Sequence, residues 1–205
     1  MKTYDELTAD FCSQIRALDI IEIEDIPNID LYMDQVTTFM EKSLKCYKRS
    51  ESDKILTKTM INNYAKAKIF PAPVKKKYSQ THLMLLIMIY HLKSILSIKD
   101  IGTLFHSALA EQDPVQQAKV IGSIYSGFIY LQKAVQNTLS ASAQGVPDQT
   151  FFERDFISEF PNEETKQIMM VLFLVIRANV EKQLAERALD SAFSKKSKPP
   201  VERVV

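Results

Sequence analysis

Apolar residues recur three and four positions apart along most of the 205-residue chain, and this spacing predicts a mainly helical, all-α protein. Near the N-terminus it indicates a first helix over about residues 3–18. A second helix is expected from Asp30 to about Lys48, with an apolar stripe of Val36, Phe39, Met40 and Leu44. Residues 20–30 lie between them and alternate apolar with acidic side chains. This alternation fits either a short strand or an extended linker that Pro27 ends.

A short helix and a turn are expected in the middle of the chain. Thr57 has the position of an N-cap for a helix over about residues 58–67, because its hydroxyl can accept a hydrogen bond from a free N–H of the first turn. Pro71 and Pro73 cannot continue a helix, so the residues around them predict a turn.

Two helices are expected after this turn. Ser79 begins the first, whose centre LMLLIMIYHL is apolar on every side, so we expect it to be buried in the middle of the module. Ser97, with Asp100 three residues later, has the spacing of a capping box and predicts a short second helix.

Two long helices are predicted in the second half of the chain. Asp113 and Pro114 form a favourable start for a helix that runs to about Leu139 and has Val115 among its apolar positions. Asn162 is expected to cap the last helix, whose apolar centre IMMVLFLVI must be covered on more than one face. Together they predict a C-terminal helical bundle, in which this apolar centre packs against the bundle or against a partner chain.

The pattern divides the chain into four parts. They are an acidic N-terminal segment (1–31), a helical module (32–110), a helical dimerisation or effector region (111–193) and a flexible tail (194–205). The first 41 residues carry ten acidic and two basic side chains, so the chain begins with a strongly acidic stretch.

Positive charge is concentrated in the helical module. Residues 54–99 contain nine lysines and no Asp or Glu, although the whole chain has a net charge of only +1. A positive electrostatic field concentrated on a small module attracts a polyanion. Two other interpretations stay open: the lysines form a plain solvated surface, or they pair with the acidic N-terminal segment of the same chain or of another copy.

The helix over residues 58–67 has the composition of a DNA-recognition helix. Met60, Ile61 and Tyr64 would face the core, which leaves polar and basic side chains outside. Asn can bind adenine edges, and Lys can bind guanine or phosphate. The basic loop that follows would grip phosphates of the flanking backbone. The predicted DNA-contacting residues are Lys58, Thr59, Asn62, Asn63, Lys66, Lys75, Lys76, Lys77 and Tyr78, with a structural role as the alternative for Tyr78.

Residues 56–105 resemble the winged helix-turn-helix of MerR-type transcription regulators. The resemblance consists of Tyr64 ending a helix, the apolar pair 69–70 before Pro71, a basic wing closing on Tyr78-Ser79, a Leu-rich helix, and a short helix opening with Ser97-Ile98. The chain departs from that pattern in three places. Asn62 and Asn63 replace an arginine and a tyrosine, Lys68 replaces a glycine, and the wing is reduced and lacks a glycine tip. The whole chain also resembles an uncharacterised bacterial family built around LTKTMINNY.

Motifs for catalysis or cofactor binding are missing from the sequence. It has no HExxH, no CxxC pair and no glycine-rich phosphate loop, and its three histidines do not form a metal set, so we expect no enzyme activity, no metal and no cofactor. Cys12 and Cys46 are expected to be ordinary thiols. The acidic N-terminus lacks the apolar region of a secretory signal, and the apolar runs are too short to cross a membrane. These features predict a soluble, cytoplasmic protein.

The sequence therefore predicts a DNA-binding transcription regulator with a MerR-like module over residues 32–110. Its expected partner is double-stranded DNA, and because two-fold sites suit two-fold proteins, we expect a homodimer. An effector is left undefined. The alternative is a helical interaction module whose basic face binds an acidic partner without DNA.

Overall fold

The computed structural model describes residues 13–143 and 156–193, with gaps at residues 16, 157–158 and 161. It confirms the mainly helical class. Short 3-10 helices lie at Ile23–Asp25 and Lys45–Tyr47, and two antiparallel strands pair, β1 (Leu31–Tyr32) and β2 (Lys77–Tyr78). The α-helices are α1 (Met33–Ser43), α2 (Lys58–Lys66), α3 (Gln80–Leu92), α4 (Ile98–Leu104), α5 (His106–Ala110), α6 (Pro114–Ala143) and α7 (Glu163–Phe193).

Several predicted helix starts are confirmed by their caps. The side chains of Thr57, Ser97 and Asn162 each accept a hydrogen bond from the backbone N–H three residues later, at 3.2, 3.2 and 2.7 Å. Asp113 caps α6 in a similar way, because its carboxylate accepts from the Val115 N–H at 3.0 Å. These bonds satisfy donors that the first turn of a helix leaves free.

Helix α1 begins later than expected. It starts at Met33 rather than after Asp30, and it ends at Ser43, before a 3-10 turn. The reason is that Leu31 and Tyr32 are extended and pair with β2, so the chain cannot be helical there. The Tyr32 N–H instead donates to the Gln35 side chain at 2.8 Å. Residues 20–30 form neither the expected short strand nor an extended linker throughout, since they contain the 3-10 turn Ile23–Asp25.

Helix α3 is the centre of the fold. Ten of its thirteen residues are buried, as the apolar sequence on every side predicted. Helices α6 and α7 pack against α3 and against each other. The same hydrophobic cluster continues through Val36 and Met40 of α1 and Ile61 of α2. The helical module (32–110) and the C-terminal helices therefore share one core.

The segment before α1 is held against α6. The Tyr125 hydroxyl donates to the Ile21 carbonyl at 2.8 Å, and the Gln136 amide donates to the Leu18 carbonyl at 3.0 Å. Of the first predicted helix, residues 13–15 are helical and most of the remainder lies outside the described residues. The flexible tail expected over 194–205 also lies outside them.

The apolar positions of α6 are not buried from its start. Val115 is 61% exposed, because it lies in the first turn of α6, before the part of the helix whose residues are buried. No helix in the described part of the chain is both long and apolar enough to span a membrane.

Candidate nucleic-acid interface

Helix α2 has a buried apolar side and an exposed polar side. Ile61 and Tyr64, three positions apart, are 0% and 5% exposed and face the core. The exposed positions are Lys58, Thr59, Asn62, Asn63 and Lys66. The side of α2 on which the sequence placed base and phosphate contacts is therefore exposed in the described chain.

The end of α2 is closed by a lysine in the left-handed conformation. Lys68 has φ 56°, at the position after the helix where glycine is favoured. The Ile69 N–H donates to the Tyr64 carbonyl at 3.2 Å, and the Lys68 N–H donates to the Ala65 carbonyl at 3.0 Å. These two bonds are those of a Schellman motif, so the motif forms here without glycine.

Residues 74–78, called the wing below, form a tight hairpin. The Lys77 N–H donates to the Val74 carbonyl at 2.9 Å, while Lys75 and Lys76 have φ values of 50° and 63°. Positive φ at both central residues defines a type I′ turn, which joins antiparallel strands well. Leu31 pairs with Tyr78 and Tyr32 with Lys77, so β1 ties the wing to the start of α1. This arrangement exposes Lys75 and Lys76 at the tip.

Tyr78 does not fit its predicted place among the DNA-contacting residues. It is only 4% exposed, and its ring centroid lies 6.4 Å from that of Phe70 and 5.6 Å from that of His82. Burial raises the pKa of its hydroxyl. The side chain anchors the wing to the core, which is the structural role that the sequence left as an alternative.

Three lysines of the basic stretch have partners inside the protein. Lys58 forms an ion pair with Asp34 of α1. Lys77 is half-buried, with its ammonium nitrogen 5.2 Å from the Tyr32 ring centroid. Lys93 donates to the Ile55 carbonyl at 2.9 Å, and desolvation lowers its pKa to about 8. Lys93 therefore has a structural role, and the charge of Lys58 is partly neutralised.

A family model described as "Domain of unknown function (DUF1836)" matches residues 21–128, which is just over half of the chain. The chain belongs to the DUF1836 family. The matched residues run from the 3-10 turn before β1 to the middle of α6, so they contain α2 and the wing. A search of curated proteins found no match, and neither did a search of solved structures.

Within the DUF1836 domain, the remaining lysines of the basic stretch are exposed and form no ion pair with a described carboxylate. They are Lys54, Lys66, Lys68, Lys75, Lys76 and Lys99. Lys68 and Lys99 line one open groove of about 540 Å³ between the end of α2 and α4, with Thr103 and His106 beside them. Positive charge therefore extends from the exposed side of α2 past its C-terminal end.

The sequence did not reveal a second group of lysines in the DUF1836 domain. Lys42, Lys45, Lys48 and Lys54 line an open groove of about 650 Å³ that runs from α1 to Thr57, the N-cap of α2. Lys42, Lys45 and Lys48 precede the acid-free stretch, and Glu41 and Glu51 lie close to them in the sequence. A search for runs of one charge therefore does not find these three lysines. Among the described residues, no three His, Cys, Asp or Glu side chains come together as a metal-binding group.

Proposed function

We propose that this DUF1836 protein is a DNA-binding transcription regulator of the winged helix-turn-helix type, similar in its module to MerR-type proteins. In this proposal α2 enters the major groove and the wing lies on the phosphate backbone. The supporting observation is the wing itself: its pairing with β1 and its type I′ turn hold two exposed lysines at the tip of a hairpin that follows α2. The family match says nothing about DNA.

The dimensions of α2 suit this role. With its side chains an α-helix is about 10–12 Å across, which fits the roughly 12 Å width of the major groove of B-DNA, and the nine residues of α2 make it about 13 Å long. Asn62 and Asn63 project from its exposed side, and an Asn amide can make two hydrogen bonds to an adenine edge. Lys66 lies one turn further on and can reach guanine or phosphate. Lys58, in contrast, would have to leave Asp34 before it could contact DNA.

A two-fold DNA site calls for a two-fold protein, so we propose that the regulator is a homodimer. The long helix α7 offers a surface for this contact. Met170 and Leu174, one turn apart, remain 43% and 42% exposed, although apolar side chains on the other faces of α7 are buried.

A fluorescence anisotropy titration with duplex DNA tests the proposal. The full-length protein is expected to bind at low salt, and binding should weaken steeply as salt is added, because each neutralised phosphate releases counterion. Lys75→Ala and Lys76→Ala should weaken binding on every sequence and lower the salt slope by about one each. A control variant, Lys119→Ala with Lys166→Ala, removes two charges from α6 and α7 and should leave the slope unchanged.

Base recognition is tested separately on a duplex selected from a random pool. Asn62→Ala should cost about 1–3 kcal/mol on the selected site and little on other sequences. Equal binding of wild type and Asn62→Ala to the selected duplex would show that α2 is not the recognition helix. A protein that binds acidic peptides and fails to bind duplex DNA at low salt would instead be the interaction module described above.

A further inference from the structure

The groove at the N-terminal end of α2 is built from α1 and the α1–α2 connection. Its volume is about 650 Å³, and it is open to solvent along its length. Its lysines come from the second half of α1 and from the residues after it, while Ile55, Leu56 and Thr57 form the end nearest α2. Because Thr57 caps α2, the groove reaches the first turn of the helix proposed to enter DNA.

The charge in this groove is unbalanced. Lys48 forms an ion pair with Glu41, so these two side chains neutralise each other. Lys42, Lys45 and Lys54 are exposed and form no ion pair with a described carboxylate. Glu51 is the acidic side chain that remains in the lining. Thr37 and Thr38 donate their hydroxyl protons to the Asp34 carbonyl, at 3.0 and 2.8 Å, so the lysines are the available donors for an anion.

We propose that this groove holds the DNA phosphate backbone next to the base pairs reached by α2, with Lys42, Lys45 and Lys54 as the phosphate contacts. The inference rests on the proposed function. An open groove with flexible ammonium groups along its rim suits a continuous chain of phosphates, whereas a small anion is normally enclosed by more of its site. The wing and this groove then contact the DNA phosphate backbone at two separate places.

The decisive variant is one that should gain affinity. Glu51→Gln removes the remaining carboxylate from the groove without changing the size of the side chain. We expect duplex DNA to bind up to about fivefold more tightly at low salt, which is the size typical of one exposed charge pair. A gain of this kind cannot arise from misfolding. Glu164→Gln, at an exposed position in the first turn of α7, is the matched control and should leave affinity unchanged.

The complementary variant replaces Lys42, Lys45 and Lys54 with alanine. It should lower the salt slope by about two to three, since each phosphate contact contributes about 0.9 to the slope on B-DNA. The same number of charges removed from α6 and α7, at Lys119, Lys166 and Lys182, should not. Combining the groove variant with the two wing substitutions should add their slope changes, because the two sets of contacts are separate.

The outcomes separate the inference from the function on which it rests. If wild type binds duplex DNA but Glu51→Gln and the triple lysine variant both behave like their controls, the groove is not a backbone contact, and the proposed function stands. If the triple variant binds free inorganic phosphate less tightly than wild type but binds DNA equally well, the groove is a small-anion site and the inference fails. If wild type does not bind duplex DNA at low salt, both proposals fail.

Discussion

The two lysines at the tip of the wing offer a test in which stability and DNA binding change in opposite directions. Lys75 and Lys76 both have positive φ, which costs roughly 1–2 kcal/mol for each residue with a Cβ atom. Asn-Gly is the preferred pair for a type I′ turn. Lys75→Asn with Lys76→Gly should relieve most of this cost. The greater freedom of glycine in the unfolded chain should offset about 0.5–1 kcal/mol of the gain. The net expectation is a gain of about 1–2 kcal/mol.

For a chain of this size, that gain corresponds to a rise in Tm of about 2–8 °C, which calorimetry resolves. The same variant loses two ammonium groups, so its salt slope for duplex DNA should fall by about 1.8. The matched control is Lys75→Ala with Lys76→Ala, which removes the same charges but keeps a Cβ atom at both positions. It should bind DNA as weakly as the Asn-Gly variant without the gain in Tm.

Two results would refute this reasoning. An Asn-Gly variant that is no more stable than wild type would mean that the wing does not hold these residues in a strained turn. An Asn-Gly variant that is more stable but binds DNA with an unchanged salt slope would mean that the lysines at the tip do not touch phosphate.

Two further predictions concern the core. An added Cβ at Gly127 would lie 2.5 Å from the buried Met169 sulfur, whereas one at Gly122 meets nothing within 4 Å. Urea denaturation should therefore show that Gly122→Ala raises the free energy of unfolding by up to about 1 kcal/mol. The free energy of unfolding of Gly127→Ala should be about 1–3 kcal/mol lower than that of Gly122→Ala. Equal values for the two variants would refute the close α6–α7 contact. Desolvation lowers the pKa of buried His91 to about 3, so the unfolded chain binds this proton below about pH 6.5 and the folded chain does not. The free energy of unfolding should therefore fall as pH drops from about 6.5 towards 3, by up to about 1.4 kcal/mol per pH unit. His91→Leu should make this fall shallower. If the variant shows the same dependence on pH as wild type, His91 is not its source.

Much of the fold could be predicted because its signals are local. A hydroxyl or amide three residues before a free N–H marks a helix start whatever the rest of the chain does, and Thr57, Ser97 and Asn162 all cap as expected. The burial of α3 could be predicted for a similar reason, since a helix that is apolar on every side must be covered on every side.

The start of α1 could not be predicted locally. Whether Leu31 and Tyr32 are helical or extended depends on their pairing with Tyr78 and Lys77 of β2, which lies much later in the chain. Val115 illustrates the same limit, because an apolar residue at helical spacing is buried only if another element reaches it. In both cases the missing information is tertiary.

One part of the candidate interface, the exposed side of α2, could be predicted from the charge of its residues and their helical spacing. The exposed side of α2 follows from the positions of Ile61 and Tyr64. The ion pair between Lys58 and Asp34 could not be seen, because it joins α2 to α1, which lies well before it in the sequence. For Tyr78 the sequence left two roles open, and the contacts of its ring with Phe70 and His82 show the structural one. The groove lysines that precede the acid-free stretch, Lys42, Lys45 and Lys48, were missed for a different reason: Glu41 and Glu51 lie beside them in the sequence, and only the structure shows that Lys48 neutralises Glu41.

The left-handed lysines connect the fold to the proposed function. In the described chain, the residues other than glycine with positive φ are Lys68, Lys75 and Lys76, and all three lie around the proposed interface. Glycine at these positions would be less strained but would carry no charge. Strained residues persist when their neighbours fix the backbone, and each strained residue here is followed within three positions by a buried anchor, Ile69 or Tyr78. If stability were all that these positions supplied, glycine would serve better; under the proposed function, lysine at all three supplies positive charge for contact with phosphate.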